Sequence, residues 1–173
     1  LQAWPVRSDV GTVFAKALNE ILMMKAKILL ADDDSGVRET LGRVLESEDY
    51  EVVFARTGRE AAAKFVADVP HLVLLDLNMP DRDGWEAFDL MNRTHPSVPV
   101  IVITAKPQQH QHAAQLGIDA LMEKPLNLPL LLAIIANLLA ESESDRVQRM
   151  INPVFRTTYI SQPIEDHLKG SNP

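Results

Sequence analysis

Four stretches of this sequence place polar groups directly behind apolar runs. Ile28-Leu29-Leu30-Ala31 leads into Asp32-Asp33-Asp34, the run from His71 to Leu75 leads into Asp76, and the run from Val98 to Ile103 leads into Thr104. The fourth, Asp119 to Met122, is followed across Glu123 by Lys124-Pro125. If these ends share one crevice, Asp32, Asp33 and Asp76 bring three carboxylates together, and their repulsion keeps one protonated unless a cation intervenes. Hard oxygen donors without sulfur favour Mg²⁺, with Mn²⁺ as the alternative, and Mg²⁺ takes only one or two carboxylates besides phosphate oxygens. A carboxylate left over can be a nucleophile. Phosphoryl transfer asks for in-line placement and neutralisation of the equatorial oxygens, which Mg²⁺, a hydroxyl and an ammonium supply together. Asp76, Thr104 and Lys124 fit the nucleophile, hydroxyl and ammonium roles.

Positioning those groups requires a particular scaffold. From Lys27 onward, short apolar runs alternate with segments of helical period in five repeats, as expected of a parallel sheet covered by helices on both faces. The strands are expected at Lys27–Ala31, Glu51–Ala55, His71–Leu75, Val98–Ile103 and Asp119–Met122. The helices are expected at Ser35–Ser47, from Thr57 as cap to about Ala67, at Trp85–Arg93, from Pro107 to about Leu116 before Gly117, and at about Leu128–Ala140. The fold class is therefore α/β, a doubly wound five-stranded parallel sheet. A flavodoxin-like order 2-1-3-4-5 makes strands 1, 3, 4 and 5 neighbours and gathers the polar ends at the switch point where such sheets bind ligands.

Residues 1–24 form an N-terminal extension with helical period over Val13–Met24, residues 25–140 the domain, and residues 141–173 a loosely structured tail that opens with polar Glu141-Ser142-Glu143-Ser144-Asp145. A net charge of -7 with no cluster of Lys and Arg argues against direct nucleic-acid binding. The absence of cysteine excludes disulfides, thiolate metal sites and a cysteine nucleophile. The apolar runs are too short or interrupted to span a bilayer, so a cytoplasmic location without membrane contact is expected.

The fragments Ile28-Leu29-Leu30-Ala31-Asp32-Asp33-Asp34, Leu74-Leu75-Asp76-Leu77-Asn78-Met79-Pro80 with Asp83-Gly84, Ile103-Thr104-Ala105 and Lys124-Pro125 together resemble the response-regulator receiver family, over about residues 25–140. The resemblance implies that a sensor histidine kinase or phosphotransfer protein phosphorylates Asp76. It implies that Asp33, Asp76 and the backbone carbonyl of Asn78 hold Mg²⁺ directly, and that Asp32 acts on it through water. Thr104 and Lys124 would contact the phosphoryl oxygens, and the bond before Pro125 would be cis. Such a domain signals to a downstream protein by protein–protein contact within a two-component phosphorelay and catalyses only its own phosphorylation and dephosphorylation. The face of the 107–116 helix, the fifth strand and the 128–140 helix would be the place for a homodimer. Side chains at Asn78 and Lys106 would tune hydrolysis of the acyl phosphate.

One departure stands out: Leu121 occupies the place where the family usually has an aromatic residue whose rotamer couples phosphorylation to that face. Two other readings compete. A pseudo-receiver would bind partners independently of phosphorylation, and a metal-dependent phosphohydrolase would turn over phosphomonoesters, although Asn78 stands where its general-acid Asp is needed. Asp83 reads as a helix cap and not a ligand, and His110 and His112 are too close for an i,i+4 metal pair.

Overall fold

The computed structural model describes residues 25–79, 83–105, 116, 118–151 and 158–160. The expectations for the 1–24 extension, Pro80, Lys106, the Pro107 to Leu116 helix as a whole, His110, His112 and Gly117 lie outside these residues. Within them the chain runs β1 (Lys27–Ala31), α1 (Ser35–Ser47), β2 (Glu51–Ala55), α2 (Gly58–Ala67), β3 (Leu72–Asp76), α3 (Asp83–Thr94), β4 (Val100–Thr104), β5 (Ala120–Glu123), α4 (Leu128–Ala140), α5 (Glu143–Ile151) and β6 (Thr158–Ile160).

The sheet order is β2-β1-β3-β4-β5-β6, so the first five strands take the expected order 2-1-3-4-5. All pairings are parallel, with Leu29 beside Val53 and Val73, Leu75 beside Val102, and Val102 beside Leu121. The continuous apolar runs follow from helices on both faces. Alternate residues of each strand point to opposite sides: Leu29, Val73, Leu75, Val102 and Leu121 pack with Phe65 of α2 and Phe88 and Met91 of α3, while Ile28, Leu30, Leu72, Leu74 and Ile101 pack with Leu41 and Leu45 of α1 and Leu131 and Ile135 of α4.

Helix starts are set by local hydrogen bonds. Asp34 caps α1, its carboxylate accepting from Gly36 N at 2.7 Å and Val37 N at 3.2 Å, Thr57 Oγ1 accepts from Glu60 N at 3.1 Å at the start of α2, and Asn127 Oδ1 accepts from Leu130 N at 3.1 Å at the start of α4. Each satisfies a backbone donor that the helix itself leaves unpaired.

The structure differs from the sequence expectation in three places. Strands β3, β4 and β5 each end one residue later than expected, which puts Asp76, Thr104 and Glu123 inside the ladder. Helix α3 begins at Asp83 itself, so Asp83 is not a cap preceding a helix at Trp85. The tail carries α5 and a sixth strand, β6, paired in parallel with β5. Its opening reads as a linker by composition, yet Ser142 and Asp145 form a reciprocal cap: Asp145 N donates to Ser142 Oγ at 3.1 Å, and that hydroxyl donates to Asp145 Oδ2 at 2.6 Å.

Candidate functional site

At the carboxyl ends of β1 and β3, carboxylate oxygens of Asp32, Asp33 and Asp76 all lie within 4.8 Å of one another. Asp32 and Asp76 are buried, whereas Asp33 is exposed and opens the cluster to solvent. The acids are held by backbone donors: Asp34 N donates to Asp32 Oδ1 at 2.9 Å and Asn78 N to Asp76 Oδ1 at 2.8 Å. Oxygen donors this close, with no competing sulfur or imidazole in the group, fit a hard divalent cation.

Lys124 completes the crevice from the end of β5. Its Nζ donates to Asp32 Oδ2 at 2.8 Å and to Asp76 Oδ2 at 2.7 Å, bridging the two buried acids. Burial pushes the Asp32 carboxyl above its ordinary range, with hydrogen bonds from Lys124 and Asp34 opposing the rise. For the Lys124 ammonium, burial pulls downward, but hydrogen bonds to Asp32 and Asp76 outweigh it and leave the group raised. It stays charged where charge is needed. Backbone geometry fixes its placement, since Lys124 N donates to Thr104 O at 2.8 Å and the Lys124–Pro125 bond is cis.

Thr104 is fully buried at the end of β4, and its Oγ1 accepts from Asn78 Nδ2 at 3.4 Å. The Asn78 Oδ1 atom is buried with no hydrogen-bond donor among the described residues. Leu121 is wholly buried in the core beneath this end of the sheet. All six residues expected at the site, Asp32, Asp33, Asp76, Asn78, Thr104 and Lys124, thus lie on adjacent strand ends of one crevice.

One supporting residue escaped the sequence reading. Arg38 Nη1 donates to the Asp32 carbonyl at 2.6 Å and ties the first turns of α1 to the end of β1. Its only signal is a position one helical turn after the Asp34 cap. Gly84, read in the sequence as part of the Asp83-Gly84 fragment, matters by close approach: a Cβ there would lie 2.8 Å from Leu77 Cα and 3.0 Å from Asp76 O. Only a glycine lets α3 begin against the backbone that carries Asp76.

The chain is similar to known proteins in sequence and in fold. The family described as response regulator receiver domain matches residues 28–136. The response regulator MprA of Mycolicibacterium vanbaalenii is 38% identical over 124 residues, covering 70% of this chain and 54% of the relative. MprA of Mycobacterium ulcerans is 36% identical over 152 residues, covering 86% of this chain and 66% of the relative. The chain therefore spans about half to two thirds of the length of these curated relatives. Among solved structures, a CheY-like receiver domain protein of Methanospirillum hungatei superposes with a TM-score of 0.64 at 28% identity, over 72% of this chain and 98% of that one. The Thermotoga maritima response regulator TrrA, in complex with Mg(2+)-BeF, gives 0.62 at 30% identity, over 66% and 99%. No helix among the described residues is long and apolar enough to cross a membrane. With the sheet order, the crevice and these matches in agreement, the chain belongs to the response regulator receiver family of two-component signalling.

Proposed function

We propose that Asp76 is the phosphoacceptor of this receiver and that a phosphohistidine on a sensor kinase or phosphotransfer protein is its donor. The observation that carries this reading is the Lys124 ammonium bridging Asp32 and Asp76 within the three-carboxylate cluster. A carboxylate oxygen of Asp76 attacks the phosphorus, the new O–P bond forms as the P–N bond breaks, and the departing imidazole takes up a proton. Asn78 N and Lys124 Nζ hold the two oxygens of the nucleophile in a fixed orientation, so little reorganisation precedes attack. As negative charge moves onto the phosphoryl group, the Lys124 ammonium follows it, and the Thr104 hydroxyl donates to another phosphoryl oxygen.

Asp33, Asp76 and the Asn78 carbonyl would hold Mg²⁺, or Mn²⁺, with Asp32 in the outer sphere. When bound, the ion neutralises the cluster and the developing charge on the phosphoryl oxygens. A cavity of about 510 Å³ between α1 and the loop after β5 is lined by Gly36, Thr40, Leu41, Lys124, Pro125 and Leu128. The pseudo-receiver reading is not favoured, because every polar group the chemistry calls for is present and mutually oriented. Signalling then proceeds through contact with a downstream protein.

The test is incubation with a small acyl-phosphate donor and Mg²⁺, followed by intact-mass spectrometry. One added phosphoryl group is expected on the wild-type chain, and none on Asp76→Asn. No gain on wild type, or an equal gain on the variant, would remove Asp76 from this role.

A further inference from the structure

The peptide that joins Asp32 to Asp33 lies just beyond the sheet, because the registers of β1 with β2 and with β3 both end at Ala31. Past that point Asp32 N still donates to Ala55 O at 3.2 Å. The Asp32 carboxylate accepts from Asp34 N at 2.9 Å through Oδ1 and from Lys124 Nζ at 2.8 Å through Oδ2. Its carbonyl, one end of the peptide that carries Asp33, accepts from Arg38 Nη1 at 2.6 Å. Asp32 is thus fixed at its amide, its carbonyl and both carboxylate oxygens. Asp33 is exposed, and the placement of its side chain follows from the peptide ahead of it.

Arg38 is itself firmly mounted. Its backbone N donates to Asp34 O at 3.1 Å in the first turn of α1, and Leu41 and Leu45 seat that helix on the sheet. The side chain is half-buried and lines a cavity of about 210 Å³ with Ser35, Glu39, Phe54 and Arg56. A guanidinium keeps its proton at any ordinary pH, so its hold on the peptide does not depend on the charge state of the acids beside it. Groups that orient a metal ligand without touching the metal contribute about 10–100-fold to affinity.

We infer that Arg38 is a positioning residue for the divalent-ion site: by holding the Asp32 carbonyl it fixes the Asp32–Asp33 peptide and keeps the Asp33 carboxylate beside Asp32 and Asp76. The inference rests on the reading of Asp33 as a metal ligand. It makes the ion's affinity depend on α1, a helix that supplies no ligand of its own. Charge alone predicts the opposite sign. Deleting a cation beside the cluster leaves it more negative and would tighten the binding of a dication, whereas loss of the hold on the peptide weakens it.

The full chain is titrated with Mn²⁺, free ion being read by electron paramagnetic resonance, and urea unfolding in chelator reads the stability of the metal-free chain. Arg38→Met keeps the apolar stem and deletes the donors, Arg38→Ala deletes both, and Arg38→Lys restores one donor. Arg43→Ala removes the same charge from the same helix, at a side chain that is 76% exposed. Arg38→Met and Arg38→Ala are expected to bind Mn²⁺ at least about tenfold more weakly than wild type. Arg43→Ala should match wild type, and Arg38→Lys should recover most of the loss. Two variants without the donor are used so that a fold defect in one leaves the other to decide. Either of them binding as tightly as wild type, or more tightly, overturns the inference, as does Arg38→Lys binding as weakly as Arg38→Met. Asp33→Asn separates the two levels of the argument. If it binds as tightly as wild type, the reading of the metal site fails and the inference with it. If it binds weakly while Arg38→Met does not, the metal site stands and the role of Arg38 alone is lost.

Discussion

At the scale of single residues, the site is a balance of like charges that one ammonium only partly offsets. Asp32, Asp33 and Asp76 crowd within 4.8 Å, and Lys124 bridges the buried Asp32 and Asp76 while Asp33 is exposed. Removing the Asp33 charge therefore relieves repulsion in the metal-free chain while deleting a metal ligand. Asp33→Asn is expected to gain roughly 1 kcal/mol without metal, the scale of an exposed charge interaction, which raises the melting temperature by about 2–4 °C in a chain of this size. The same variant should lose most of the upward shift that millimolar Mg²⁺ gives wild type. Calorimetry with Mg²⁺ and with a chelator checks both, and a variant that retains the full Mg²⁺ shift would show that Asp33 is not a ligand. These residues were legible in the sequence because each chemical type follows an apolar run, and the topology rule for doubly wound sheets locates the ends of such runs together. Arg38 was not legible, because its contact is to a backbone carbonyl and no side-chain pattern announces it.

At the scale of elements, the site depends on how closely α3 approaches the end of β3. A methyl group at Gly84 would meet Leu77 Cα, Asp76 O and Leu77 O at 2.8, 3.0 and 3.2 Å, all backbone atoms that cannot rotate away. Gly84→Ala should displace α3 or the Asp76–Leu77 backbone, at a cost of about 1–3 kcal/mol typical of overpacking, even though alanine is the better helix former. It should also slow phosphorylation of Asp76 by the small donor. Urea unfolding and the phosphorylation time course measure the two effects, and a variant as stable as wild type would mean the helix has room to spare. Element boundaries were read well where a side chain caps a helix or a bounded apolar run forms a strand: α1, β2 and α4 fall where the sequence puts them. They were read less well at β4, where Val98 extends the apolar run although the strand starts only after Pro99, a residue without a backbone donor. β6 was illegible for a different reason. Three residues are too few for alternation to stand out, and their burial depends on a neighbour, β5, that lies far away in sequence.

At the scale of the whole molecule, strands differ in how many neighbours must be lost before they open. β3 lies between β1 and β4, its residues Leu72, Val73, Leu74 and Leu75 have no exposed surface, and they feed both core clusters. Its amides can exchange only when both layers of helices and two flanking strands separate, which amounts to global unfolding. Among the described residues β6 pairs on one side alone and is three residues long, and Val147 and Ile151 of the preceding α5 are exposed. Opening β6 exposes little surface, because only Ile160 among its described side chains packs into a core cluster. Native-state hydrogen exchange in low denaturant should therefore separate two classes of amide. Those of β1, β3 and β4 should share the global unfolding free energy and its full denaturant dependence. Those of β6 should open at lower free energy with a shallow dependence, the signature of a sub-global event. If β6 amides instead follow the same free energy and slope as β3, the tail is part of the single cooperative unit, and the β5 edge is closed for as long as the protein is folded.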